Sequence, residues 1–216
     1  GSQIALSPYM AWSTDGKNWN SGTAPGALSG DIDWSPSLGL FASVGGPSFI
    51  WSTDGKNWSS GTKPSGTAWW SVAWSPTLAL FVAVGYSSSS MAWSSDGKTW
   101  TLGTTRIIST WQSVAWSPAL GLFVAVSAYA PFQAWSADGK NWYIATAQYS
   151  GYWNMVRWSA TLNLFVAVGG YIAWSADGKN WLPGFAINTT STNVLSIFGP
   201  VGINTAQTDA TVYVSG

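Results

Sequence analysis

Apolar residues along this chain come in short bursts and never at helical spacing. "SVAWS" over 71–75, "LFVAV" over 80–84, "MAWS" over 91–94 and "KTW" over 98–100 are rich in β-branched or aromatic residues, with Gly, Pro, Ser and Asp between them. The pattern predicts four short strands and no helix. The same bursts return along the chain with two fixed markers. One is "WSTDGKNW" over 12–19, repeated letter for letter over 51–58 and closely matched from Trp93, Trp135 and Trp174, at spacings of 39, 42, 42 and 39 residues. The other is "WSPSLGLF" from Trp34, "WSPTLALF" from Trp74, "WSPALGLF" from Trp116 and "WSATLNLF" from Trp158, with "FGP" over 198–200 as a weakened fifth copy.

Four strands in each repeat of roughly 40 residues is the signature of a blade that cannot bury its faces alone and must stack on its neighbours. Five units predict an all-β fold, a five-bladed β-propeller of four-stranded blades over residues 3–200. The N-terminal "IALSPYMAW" from Ile4 aligns with "VAVGGYIAW" from Val166, so the chain begins in a second strand. The missing first strand then falls at 194–198, and the N- and C-terminal strands close the ring, which leaves no open blade edge. Gly1 and Ser2 read as a cloning remnant, and residues 201–216 form a tail outside the repeat, a candidate fibre or oligomerisation segment.

The repeated eight-residue stretch puts Asp15, Asp54, Asp96, Asp138 and Asp177 next to a Gly, between the third and fourth strands. A tight hairpin there needs an acceptor for backbone N–H groups and a residue that tolerates positive φ. These aspartates are therefore structural, and the two Trp of each stretch are wedges for the space between sheets. The stretch resembles the Asp-box, or BNR repeat, of sialidase-like propellers, whose usual pattern is Ser-x-Asp-x-Gly-x-x-Trp. Here Asp and Gly are adjacent in all five copies, a turn one residue shorter. In that family the box lies on the face opposite the active site, which agrees with a structural role.

Composition narrows the chemistry. The chain has 18 Trp, no Cys, no His and no Glu, and its net charge is zero. Without those residues most hydrolytic, redox and transition-metal sites cannot be assembled, so no enzyme, no cofactor and no metal is expected. The resemblance to sialidases does not carry their activity, because that site needs three arginines and a Tyr/Glu pair, and only Arg106 and Arg157 are present. Asp31 and Asp33, two apart on a strand and so roughly 7 Å from each other on one face, are the remaining carboxylate pair, with no partner to protonate a leaving group. The other reading of Asp33, whose counterparts are Ala73, Ala115 and Arg157, is that it points into a wet axial channel. Zero net charge offers no footprint for nucleic acid, and no apolar run approaches the ~20 residues of a membrane span.

Candidate binding residues fall in the loops away from the boxes. Trp69, Trp111 and Trp153 stand five residues before each "WS" of the first strand, with Ser29 breaking the series. The link from second to third strand brings Tyr9, Phe49, Tyr86, Tyr129 and Tyr171, and Gln112, Asn154, Gln148, Thr110 and the serines of 87–90 lie nearby. Aromatic faces beside short polar groups suit sugars, and repetition permits avidity. The other reading of these aromatics is that they plug the gaps between blades. The tail, through Val201, Gly202, Ile203, Thr205, Val214 and Gly216, resembles the "VGI.T.....L.V.G" segment of phage and large-virus tail-fibre proteins, although the family's central Pro is missing. That resemblance implies a homotrimer on a virion surface or outside the cell, with glycans or a glycosylated host receptor as partner. The alternatives are a free lectin-like propeller and a structural or protein-interaction propeller that binds no sugar.

Overall fold

In the computed structural model, residues 10–25, 30–64, 68–86, 91–104, 109–129, 133–147 and 151–184 are described. They are strands and turns without a helix. Blade 1 contributes its outer hairpin, Met10–Trp12 and Asn20–Gly22. Blade 2 is Asp31–Ser35, Leu40–Gly45, Ser48–Ser52 and Ser59–Ser60; blade 3 is Ala68–Ser75, Leu80–Tyr86, Met91–Ser94 and Thr101–Leu102. Blade 4 is Trp111–Ser117, Leu122–Ser127, Gln133–Ser136 and Tyr143–Ile144, and blade 5 is Trp153–Ser159, Leu164–Gly169, Ile172–Ser175 and Asn180–Pro183. Each of blades 2 to 5 is an antiparallel meander in sequence order. The strands expected to close the ring, the tail, Tyr9, Ser29, Gln148 and the serines of 87–90 lie outside the described residues.

The fourth strand is not where the sequence placed it. The expected strand over 98–100 gives way to Thr101–Leu102, because the box segment is used for a different pairing. Chain leaving one blade runs parallel to the box of the next: Thr62 N–H donates to Lys98 O at 2.8 Å and Trp100 N–H donates to Thr62 O at 3.2 Å. The same bridge recurs at Thr23 with Asn57 and at Thr104 with Asn141, and at Thr146–Ala147 it lengthens into a fifth strand on the edge of blade 5. Beside each bridge a lysine crosses to the neighbouring blade: Lys56, Lys98, Lys140 and Lys179 lie 4.1–4.3 Å from the ring centres of Trp12, Trp51, Trp93 and Trp135. The first Trp of the box is thus a platform for a cation. The second is buried as expected at Trp58, Trp100, Trp142 and Trp181, but at Trp19 in the first box it is 64% exposed.

The core lies between blades. One cluster joins Leu40, Ala42, Val44 and Phe49 of blade 2 to Trp69, Val72, Trp74 and Phe81 of blade 3, and two more repeat this at the next two junctions. Within blades 2 to 5 the first-strand Trp packs on the second-strand Phe, at 4.5 Å for Trp34 and Phe41 and 4.9 Å for Trp158 and Phe165.

Both turns at the box end are held by side chains. In blade 5, Ser175 Oγ donates to Asp177 Oδ1 at 3.0 Å and accepts from Gly178 N–H at 2.9 Å, while Lys179 and Asn180 N–H donate to Asp177 Oδ1 at 2.8 and 2.7 Å. Gly178 sits at φ 72°, a conformation that costs most residues a Cβ clash. Burial works against the Asp177 charge, but the bonds from Asn180 and Lys179 prevail and bring its pKa down to about 2. Asp15, Asp54, Asp96 and Asp138 make the same turn and are lowered as well.

Candidate functional site

The antiparallel register places the two ends of each blade. Ser75 pairs with Leu80 at the box end, and Ala68 pairs with Tyr86 at the other, so Tyr86 opens the face away from the boxes. On this upper face Tyr86, Tyr129 and Tyr171 are 52%, 59% and 52% exposed. Tyr129 of blade 4 meets Tyr152, which precedes the first strand of blade 5, edge-on at 6.1 Å. Gly151 completes the group, since a Cβ there would lie 3.2 Å from the Tyr171 ring.

The three tryptophans expected to stack on a ligand do not reach solvent. Trp69, Trp111 and Trp153 are 1%, 0% and 2% exposed and belong to the inter-blade cores. Each lies at or near the start of a first strand, at a β-bulge between Trp69 and Ser71, Trp111 and Ser113, and Trp153 and Met155. The extra residue turns Trp inward and its successor outward. The residues so presented are Trp70, 38% exposed, half-buried Gln112 and exposed Asn154. Phe49 is also core, packed edge-on against Trp69 at 5.1 Å. Thr110 is half-buried and bridges to Tyr86, tying blade 4 to blade 3. Of the anticipated binding residues the upper face therefore keeps Tyr86, Tyr129, Tyr171, Gln112 and Asn154. It adds Trp70 and Tyr152, which the "WW" of 69–70 and the "GYW" of 151–153 could have signalled.

The first strands line a cavity of about 370 Å³ with Asp31, Asp33, Ala73, Ala115 and Arg157 on its wall. The carboxylates here serve as links between blades. Asp33 Oδ2 accepts from Trp74 N–H at 2.7 Å, and Asp31 Oδ2 accepts from Ser71 Oγ at 2.7 Å. Ser71 Oγ accepts from Val114 N–H at 3.2 Å, and Ser113 Oγ accepts from Val156 N–H at the same distance. Side chains of one blade thus cap the free edge of the next. Burial raises the Asp33 pKa against the pull of the Trp74 and Trp34 N–H bonds. Arg157 donates to Val156 O at 3.0 Å. Among the described residues no three His, Cys, Asp or Glu side chains gather as a metal would require.

No family model matches the chain, and no curated protein sequence does. Solved structures do. A chain from the crystal structure of a nidogen/laminin complex superposes with a TM-score of 0.60 at 12% identity, covering 74% of this chain and 65% of that one. This protein is a β-propeller. The GH74 enzyme of Niastella koreensis superposes with a TM-score of 0.55 at 17% identity, covering 73% of the propeller and 24% of the enzyme. The chain therefore spans under two thirds of either neighbour, and at such identities the likeness concerns the fold alone.

Proposed function

We propose that this propeller is a non-catalytic carbohydrate-binding module whose upper face takes glycans through exposed tyrosines. The observation that carries the reading is the meeting of Tyr129 and Tyr152 in solvent at the blade 4–blade 5 junction, with exposed Tyr171 beside Gly151 and exposed Asn154 two residues after Tyr152. Rings of this kind stack on the C–H faces of sugars while amides and hydroxyls bond their hydroxyl groups. Engagement of Asp31 and Asp33 as links between blades supports the absence of catalysis. The likeness of the tail to tail-fibre segments extends the proposal to a receptor-binding module on a trimeric viral or phage fibre, working on the virion surface or outside the cell. The Asp-box resemblance contributes only the scaffold.

A glycan array on the purified chain tests this, with a Tyr129→Ala and Tyr152→Ala double variant beside it. Selective binding that the variant loses is the expected result. Absence of binding to every glycan overturns it and favours the second reading, a protein-docking face. Mass in solution bears separately on the fibre: a trimer is expected, and a sugar-binding monomer would point to a free lectin.

A further inference from the structure

Gln133 is out of keeping with its surroundings. It opens the third strand of blade 4, two residues before the box Trp, where blade 2 has Phe49 and blade 3 has Met91. All three are buried, and Gln133 is 0% exposed. Both its Nε2 and its Oε1 are buried without a hydrogen-bond partner. The other buried side-chain atoms in that condition are tryptophan Nε1 groups, which recur at equivalent positions from blade to blade. Among the described residues Gln133 is the single departure. Buried amides are nearly always satisfied, so one left with donor and acceptor both idle calls for a partner from outside the chain.

The register says which way the amide faces. Gln133 pairs with Val126, and paired residues share a face of the sheet. Val126 belongs to the core cluster that joins blade 4 to Trp153, Val156 and Phe165 of blade 5. Met91 and Phe49 do the same at their junctions, each clustered with Trp111 or Trp69 of the following blade. Gln133 therefore sits in the junction of blades 4 and 5, at its upper end. Tyr129 lies three residues beyond Val126, and Tyr152 immediately precedes Trp153. The exposed tyrosine pair and the idle amide flank one junction. No other described junction holds this combination: Tyr86 stands above one whose corresponding residue is the thioether of Met91.

We infer that the blade 4–blade 5 junction is a single saccharide site in which the Gln133 amide bonds an adjacent donor and acceptor of a neutral sugar, while Tyr129 and Tyr152 cover the sugar ring. The inference rests on the carbohydrate reading above and narrows it from a repeated face to one junction. Two sugar groups present such a pair, a vicinal diol and an acetamido group. Entry requires the Tyr129 and Tyr152 rings, both largely exposed, to part.

The test is calorimetric titration of glucose and of N-acetylglucosamine into the wild-type chain, Gln133→Met and Thr101→Ala. Methionine is what blade 3 carries at this position, so the variant keeps the packing and folds. Wild type is expected to bind at least one of the two sugars, Gln133→Met to bind it at least tenfold more weakly, and Thr101→Ala, an exposed position on the outer strand of blade 3, to match wild type. A loss seen with both sugars assigns the diol; a loss confined to N-acetylglucosamine assigns the acetamido group. Undiminished binding by Gln133→Met overturns the role of Gln133 and leaves the carbohydrate reading standing. Failure of wild type to bind either sugar overturns the site together with the saccharide class on which it rests.

Discussion

Replacing Gln133 by methionine should make the protein more stable. The side chain is fully buried and both amide atoms lack a partner, so the folded state carries the desolvation of a donor and an acceptor with no bond in return. That penalty is about 1–3 kcal/mol for an unsatisfied buried group. Methionine has nearly the same length and volume, and swaps that conserve volume usually cost under about 1.5 kcal/mol. The environment suits it too, since Met91 occupies the matching position against Trp111 with no exposure. Removing the penalty should therefore add about 1–2 kcal/mol, and for a chain of this size each kcal/mol moves Tm by roughly 2–4 °C. Urea denaturation and a thermal melt of the ligand-free chain measure this directly. A midpoint equal to or below that of wild type refutes the reasoning, because it means that Gln133 is satisfied in solution. A residue that weakens the ligand-free fold is consistent with a binding role, since functional sites are where a sequence departs from its stability optimum.

Three further outcomes follow from the repeat. Lowered pKa values at the box aspartates mean that the unfolded chain binds more protons than the folded one below about pH 4, so stability should fall from there toward pH 2, where Asp177 titrates; Asp33, raised by burial, works in the opposite sense but alone. Denaturation midpoints that do not change between pH 5 and pH 2 would contradict this. Ala79 holds φ 49° in a turn where Gly39 and Gly121 stand in blades 2 and 4, so Ala79→Gly should raise stability by about 0.5–1 kcal/mol in urea and Gly121→Ala should lower it by a similar amount. Ser71→Ala removes both the acceptor of Val114 N–H and the hydroxyl that bonds Asp31, and should cost about 1–3 kcal/mol by the same assay; a neutral result would show that the link between blades 2, 3 and 4 carries no stability.

Blade count and strand order were legible because the repeat writes its landmarks in residues with few alternatives. Trp74 and Phe81 must meet across the first two strands, and the Ser-x-Asp-Gly turn has one way to satisfy its N–H groups. The fourth strand was misplaced because its pairing depends on chain that arrives from the preceding blade. Trp100 spends its N–H on Thr62, 38 residues earlier, and antiparallel pairing with the third strand resumes only at Thr101. No window of one repeat contains that competition.

The binding face shows how a local irregularity redirects side chains. Strict alternation back from Trp74 through Val72 would put Trp70 on the face toward blade 2 and Trp69, with Ala73, on the face toward blade 4; in blade 4 it would likewise exchange the faces of Gln112 and Trp111. A bulge reverses both assignments. The reversal follows from magnitudes: an indole buries 150–250 Å² of surface, at about 25 cal/mol per Å², which outweighs the distortion of one rung of the ladder. Gln112 would instead have to be buried without partners. The same comparison makes Gln133 conspicuous. Where the fold could expose a glutamine by inserting a bulge, at 112, it did so; at 133 the strand is regular, and the amide stays inside. Gln133 stands two residues before a box Trp, as Phe49 and Met91 do, but the sequence alone did not single it out; the register through Val126 places it between two blades, in the junction that Tyr129 and Tyr152 share.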